Sequence, residues 1–296
     1  MNDSTKAILR QLTPPILLPL GASLLRSWRR HQTADIQEDE HETVLLLKEQ
    51  HKRRNATSAA NEIVIRDGLS LKIHPECRFG FDHFCFIAPV MVEELNCFIA
   101  NTREKTSLLD IGALHGIFSL VFAASGGPKR AVAVDASPLA FARLLYNIHK
   151  NEYDNITPVE CALSDAEGTL QMHYEWEHAV AAGGTGSSPT RLTTRKRRAD
   201  ELCESLSFSP DVVKIDVEGH EVKVLRGMSG LIERCRPLVF LEVHPQRIAQ
   251  ENDDIADLVE IFGSKRYRAF VVGSGGIAIQ DIATFTQDQR VMLTPY

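Results

Sequence analysis

Ser107-Leu-Leu-Asp-Ile-Gly-Ala-Leu-His-Gly116 decides the fold of this chain. Leu108, Leu109 and Ile111 make a short apolar run of the kind that suits a parallel strand covered on both faces. Gly112 and Gly116 bracket the turn that follows, where glycine allows positive φ and close approach of the backbone to a ligand. Ile117 to Ala124 then reads as a helix whose first amides point back over the strand end, a place for a ligand.

Working outward, Arg130-Ala-Val-Ala-Val-Asp135 reads as a second strand ending in a carboxylate. Ser137 follows as a helix cap and Pro138 as the first helical residue. In a nucleotide-binding sheet a carboxylate so placed accepts the ribose hydroxyls, which points to an adenosyl ligand without choosing one.

Strand and helix continue to alternate, which calls for an α/β fold: a doubly wound, mostly parallel Rossmann-like sheet with helices on both faces. Strands are expected at Leu108–Ile111, Ala131–Val134, Val159–Leu163, Val212–Ile215 and Leu238–Val243. Helices are expected near Pro89–Ala100, Ile117–Ala124, Leu139–Lys150, Ala199–Leu206 and Glu221–Glu233. Upstream, Glu62 to Ile73 alternates around Asp67-Gly68, a hairpin signal. Phe79 to Phe86 is aromatic-rich, a candidate pocket lid or plain core. Near the end, Arg268–Val272 and Gly276–Ile279 read as a closing hairpin and Val291–Leu293 as an edge strand. Ala181 to Arg198 reads as a long loop, either mobile or able to hold an anionic acceptor through Arg191, Arg195, Lys196, Arg197 and Arg198.

Composition bounds the rest. The 296 residues, 44% of them hydrophobic, can bury a large core, read as a Rossmann-like domain over 61–296 behind an N-terminal helical extension, 1–60. The net charge of -6 argues against nucleic acid as the main partner. Six cysteines without C-x-x-C or zinc spacing are read as reduced, which suits a cytoplasmic setting. In residues 1–31 the apolar Ile16–Leu25 is about half a bilayer span and holds Pro19. Flanked by arginines, it is a packed helix or a helix lying on the inner face of a membrane.

Val212-Val-Lys-Ile-Asp-Val-Glu-Gly-His-Glu221 and Pro237-Leu-Val-Phe-Leu-Glu-Val-His244, taken with Leu109 to Gly116, resemble the FkbM family of S-adenosylmethionine-dependent methyltransferases. The resemblance runs from about Gly68 to Pro245, and Lys214 to Glu221 is its most specific part. It implies a class I methyltransferase fold, S-adenosyl-L-methionine as cofactor, and O-methylation of a hydroxyl on a sugar, a glycan or glycolipid, or a glycosylated small molecule. Asp110, Gly112, Ala113, His115 and Gly116 match the first motif and would wrap the methionine part of the cofactor. Asp135 would take the ribose, flanked by Ala136 and Ser137, while Ala162 and Leu163 would edge the adenine. Leu114 departs from the asparagine usual in the family, which removes a polar group from this turn.

An alcohol acceptor must lose a proton, so a base belongs near the methyl group. His244 is the favoured base on the ground of an ordinary imidazole pKa near ~6.5, with Glu218 or Glu242 orienting it and Asp216 beside it. A Mg2+ held by Asp216, Glu218, Glu242 and His244 is the alternative, weighed and not preferred. The expected partner is a small-molecule or glycan acceptor, and a homo-oligomer is compatible with the sequence. Two other readings stand beside the enzyme. One is a non-catalytic binding module for an anionic ligand, nucleic acid or membrane. The other is an NAD-dependent oxidoreductase, against which the turn lacks G-x-G-x-x-G.

Overall fold

The computed structural model describes residues 62–66, 69–175, 178–181, 191–263, 267–273, 278–279 and 281–296. The N-terminal segment 1–61, the Asp67-Gly68 turn and residues 182–190 lie outside the described residues, and the expectations placed on them are neither met nor corrected.

A hairpin, β1 (Glu62–Arg66) and β2 (Leu69–Lys72), opens the described chain. After the short helix α1 (Arg78–Asp82), a π-helical turn at His83–Ile87 and helix α2 (Pro89–Thr102), the alternation begins. It runs β3 (Ser107–Ile111), α3 (Ile117–Ala124), β4 (Arg130–Asp135), α4 (Pro138–Lys150) and β5 (Ile156–Glu160). Four short strands follow: β6 (Ala162–Leu163), β7 (Gly168–Glu175), β8 (His178–Ala181) and β9 (Arg191–Arg197). Helix α5 (Ala199–Ser205), β10 (Val212–Ile215), α6 (Glu221–Gly227), α7 (Ser229–Cys235) and β11 (Leu238–Val243) return to the alternation. Helices α8 (Pro245–Gln250) and α9 (Ala256–Gly263) lead to β12 (Tyr267–Val271), β13 (Ala278–Ile279) and β14 (Gln289–Pro295).

The main sheet has the order β13-β12-β14-β11-β10-β3-β4-β5. The strands β11, β10, β3, β4 and β5 are parallel, and β14 runs antiparallel between β11 and β12. From β3 the chain winds outward through β4 to β5, then returns to β10 on the other side of β3. The strand order therefore reverses between β3 and β10, and the crevice above their carboxyl ends is where ligands bind in such sheets.

Side-chain alternation divides the sheet into two faces. Leu109, Ile111, Val132, Val134, Val213, Ile215, Val239, Leu241 and Val243 join one continuous core with residues of α5, α6, α7 and α9. The intervening positions, Asp110, Lys214, Phe240 and Glu242, face the side of α2 and α3. There Phe98 of α2 stacks edge-on against Phe240 at 5.2 Å and Phe118 of α3 at 5.0 Å. The one apolar and one mixed face place three polar side chains of the central strands, Asp110, Lys214 and Glu242, on the same side of the molecule.

The hairpin is tied to α4. Asn151 accepts from the Lys72 amide and donates to the Lys72 carbonyl, and Asn147 accepts from the His74 amide.

Four sequence expectations are corrected. Val159–Leu163 is not one strand: β5 ends at Glu160, and β6 leaves for a second sheet of order β6-β9-β7-β8. Within Ala181–Arg198, residues Arg191–Arg197 are a strand, because Thr169 to His173 of β7 supplies its hydrogen-bonding edge. The helix expected at Glu221–Glu233 is two helices meeting at Met228. A Cβ on Gly227 would lie 1.9 Å from the Ser164 carbonyl oxygen, so the backbone is pressed against its neighbour there. Finally, β14 is an interior strand, paired with β11 on one side and β12 on the other.

The cysteines, all within the described residues, are free thiols. Burial pushes Cys77, Cys161 and Cys203 up to about 12, so all three are held as neutral packing groups. The aromatic segment divides: Phe81 is buried and Phe84 stacks on Phe118, while Phe79 and Phe86 are exposed. Among the described residues no single helix is long and apolar enough to cross a membrane.

Candidate active site

The cofactor end is built from backbone. Gly112 (φ +75°) donates its amide to the Val134 carbonyl, and Ala113 donates to the same oxygen. A Cβ on Gly112 would lie 1.8 Å from the Asp216 carbonyl oxygen, so the end of β3 and the end of β10 touch and only glycine fits between them. Gly116 (φ +87°) starts α3, and a Cβ there would meet Leu144 at 2.4 Å.

Asp135 secures this turn from the end of β4. Its Oδ2 accepts from the Leu114 amide at 2.7 Å and its Oδ1 from the Ser137 amide at 2.8 Å. The group that fixes the turn thus stands at the carboxyl end of β4, beside the crevice. Ser137 caps α4 through its hydroxyl, which accepts from the Ala140 amide. Gly112, Leu114, Ala136, Asp216 and Val217 are all part-exposed around the crevice. A nucleotide-type cofactor fits this cradle.

Other matched residues are placed elsewhere. Asp110 is 1% exposed and accepts from the hydroxyl and amide of Ser119 in α3. Burial pushes its carboxyl up, and Ser119 and Lys214 limit the rise to about 6. The His115 ring is buried 3.5 Å from Arg143 of α4, and Arg143 pairs with Glu76. Ala162 and Leu163 are buried, with Leu163 in the core. Asp110, His115 and Leu163 thus support the cradle from behind.

The second half of the site is a charged cluster on the mixed face, at the ends of β10 and β11. Lys214, 1% exposed, lies 3.1 Å from Glu94 of α2 and 3.6 Å from Asp216. Arg290 of β14 stands opposite Glu242 in the strand register and pairs with it at 2.6 Å, while its Nε meets Glu94 at 2.9 Å. His244 Nδ1 is 2.6 Å from Glu221 Oε1, an oxygen that also accepts from the Gly219 amide. Its Nε2 faces Glu242 at 3.6 Å and Glu218 at 3.7 Å, and Arg247 contacts Glu218 at 3.2 Å. The loop carrying Glu218 is forced into shape by two successive left-handed residues, Glu218 (φ +54°) and Gly219 (φ +106°).

These contacts correct the premise on which His244 is favoured as base. Burial opposes its charge, yet hydrogen bonds to Glu221 and Glu242 outweigh that and raise it to about 11. In this arrangement the imidazole keeps its proton at neutral pH and has no acceptor to offer. Asp216 is the opposite case: burial raises it, but Lys214 and His244 outweigh burial and hold it well below the usual carboxylate range. Burial and the neighbouring Asp216 charge push Glu242 upward. A carboxyl held low is a poor proton acceptor, which leaves Glu218, part-exposed at the crevice, as the carboxylate placed to receive a proton, with His244 as a positioning partner.

Sequence reasoning brought Asp216, Glu218, Glu242 and His244 together correctly but missed Glu94 and Arg290. Both come from outside the motifs. The available signals were a pair of glutamates, Glu93 and Glu94, within the largely apolar α2, and an arginine immediately before the strand expected at Val291–Leu293. Neither signal names its partner without the fold.

The basic run is also largely occupied. Lys196 and Arg197 face Asp165 and Glu167, and Arg198 pairs with Asp200 while donating to the Asp165 carbonyl.

A parallel sheet with a glycine turn, a strand-end carboxylate and a polar crevice at its switch point defines a class I methyltransferase fold. Residues 110–269 match the family model described as the methyltransferase FkbM domain, and the chain belongs to that family. Its methyl donor is S-adenosylmethionine. The chain is 28% identical over 182 residues to the hexuronic acid methyltransferase AglP of Haloferax volcanii, covering 59% of this chain and 73% of that protein. It is 26% identical over 163 residues to the methyltransferase sdnD of Sordaria araneosa, covering 44% of this chain and 63% of that one. Among solved structures, an FkbM methyltransferase from Methylobacillus flagellatus aligns with a TM-score of 0.42 at 13% identity, over 64% of this chain and 44% of that one.

Proposed function

We propose that this methyltransferase acts on a hydroxyl oxygen of a sugar, free, in a glycan or glycolipid, or on a small molecule. The observation that carries the reading is the contact between the two halves of the site. The Asp216 backbone abuts Gly112 of the cofactor turn, while its side chain belongs to the carboxylate cluster. The distant relative that methylates a hexuronic acid supports a sugar as acceptor class.

S-adenosylmethionine supplies an electrophilic methyl group on a sulfonium. The chain's own task is to align the acceptor oxygen with that methyl, keep water out and take one proton as the new C–O bond forms. Glu218 takes the proton from the hydroxyl. His244, held by Glu221 and Glu242, fixes the geometry of Glu218. Carboxylates bordering the crevice also suit hydrogen bonding to the neighbouring hydroxyls of a sugar ring.

The reading is tested by incubating the purified protein with methyl-labelled S-adenosylmethionine and a panel of glycosides, uronic acids, phenols and amines. Label in a base-stable methyl ether of a sugar, lost in Glu218→Gln, is the expected result. Label in amines or phenols alone would overturn the sugar assignment.

A further inference from the structure

We propose that Asp216, Glu218 and His244, backed by Glu242, bind one hard divalent cation of the Mg2+ or Mn2+ class at the mouth of the crevice. One ligand atom from each of the three lies within 4.8 Å of the others, close enough to share a single ion. Asp216 and Glu218 are part-exposed and His244 is buried, so an ion would be held from below and remain open to a substrate oxygen above.

Two features point to a cation rather than to a chance gathering of acids. The first is the imidazole's support. Glu221 takes the Nδ1 side of His244 at 2.6 Å and is itself fixed by the Gly219 amide, which leaves Nε2 directed at the carboxylates, where an ion would take the place of the Nε2 proton. A carboxylate gripping the far nitrogen of a ligand histidine is the usual way a metal site orients that ring.

The second is Glu242. This residue is 5% exposed, its carboxyl faces that of Asp216, and its Oε2 has no hydrogen-bond donor. Arg290 holds Oε1, and a cation entering from the side of the part-exposed Asp216 would give the buried Oε2 its partner.

An oxygen-dominated set with one imidazole suits Mn2+ and Mg2+ better than a thiolate-seeking metal.

The ion's role follows from its place. A hydroxyl oxygen coordinated beside the methyl donor would be more acidic, and its proton would pass to the Glu218 oxygen that does not hold the ion without needing a strong base. That role rests on the reading of the acceptor as an alcohol, whereas the binding itself does not.

The test therefore measures binding alone. The full-length protein, stripped with a chelator, is titrated with Mn2+ by calorimetry and by the spin-resonance signal of free Mn2+, with Mg2+ as competitor and no acceptor present. One equivalent of Mn2+ displaced by Mg2+ is expected, with affinity at least about tenfold weaker in Asp216→Asn and Glu218→Gln. Glu251→Gln, in the separate Lys223, Arg226 and Asp253 cluster, serves as a control expected to leave Mn2+ affinity unchanged. S-adenosylmethionine binding by each variant checks its fold. No uptake by the native protein, or uptake unchanged in both Asp216→Asn and Glu218→Gln, would overturn the site. A protein that binds Mn2+ as described but methylates no sugar would retain the site and reject the acceptor.

Discussion

The two halves of the crevice are built from different materials. The cofactor half is main chain: a turn of glycines at positive φ, amides aimed at Val134 and Asp135, and a strand-end carboxylate. The acceptor half is side chain: carboxylates, an imidazole and cations contributed by α2, β10, α6, β11, α8 and β14. A common ligand is met by backbone shape, which tolerates little change. A particular acceptor is met by side chains, which can be exchanged without refolding the sheet.

The sharpest way to break the comparison is to put a side chain into the backbone half. Gly112→Ala drives a Cβ into the Asp216 carbonyl, main chain against main chain, and should cost about 3 kcal/mol or more. Denaturant unfolding would show a large fall in midpoint, with loss of cofactor binding. In the side-chain half the comparable injury is Lys214→Met, which leaves Glu94 and Asp216 buried or half-buried beside one another with less compensation. A loss of about 3–5 kcal/mol is expected, partly recovered by adding Glu94→Gln.

A smaller effect separates the halves by pH. Hydrogen bonds from His220 and Lys223 outweigh burial and bring Glu251, outside the crevice, down to about 2 from an ordinary 4.5. Its contribution is complete above pH 4.5 and is lost as pH falls toward 2. Glu251→Gln should lower stability by about 1–2 kcal/mol at neutral pH, and the difference should vanish in acid, read from melting temperatures across that range.

The smallest effect is a gain. Leu114 sits at φ +49°, a conformation that costs an ordinary side chain about 1–2 kcal/mol and that asparagine enters more easily. The departure from the family's asparagine is thus first a matter of backbone strain. Leu114→Asn should stabilise the protein by up to about 1 kcal/mol in denaturant unfolding, leaving the Leu114 amide bond to Asp135 in place.

What could be read in the sequence follows the same division. The parallel strands at Leu108, Ala131, Val212 and Leu238 were legible because apolar runs between glycine turns have few other uses. Gly112 and Asp135 were legible because turn geometry and a strand-end acid are local properties. The second sheet was not, since Arg191–Arg197 carries a solvated composition and becomes a strand only when β7 lies beside it. Glu94 and Arg290, 196 residues apart, meet only through the sheet. The protonation of His244 was misjudged for the same reason: its ordinary value holds in water, and Glu221 and Glu242 replace the water.

The most direct test is a pair of titrations with S-adenosylmethionine, on Asp135→Ala and on Asp216→Asn, each followed by an assay of methyl transfer. Asp135→Ala is expected to lose cofactor affinity by at least about tenfold, as the turn loses its anchor and the ribose its acceptor. Asp216→Asn is expected to bind the cofactor as the native protein does and to lose methyl transfer. Equal loss of cofactor binding in both variants would contradict the account, because the carboxylate cluster would then belong to the cofactor's site rather than the acceptor's.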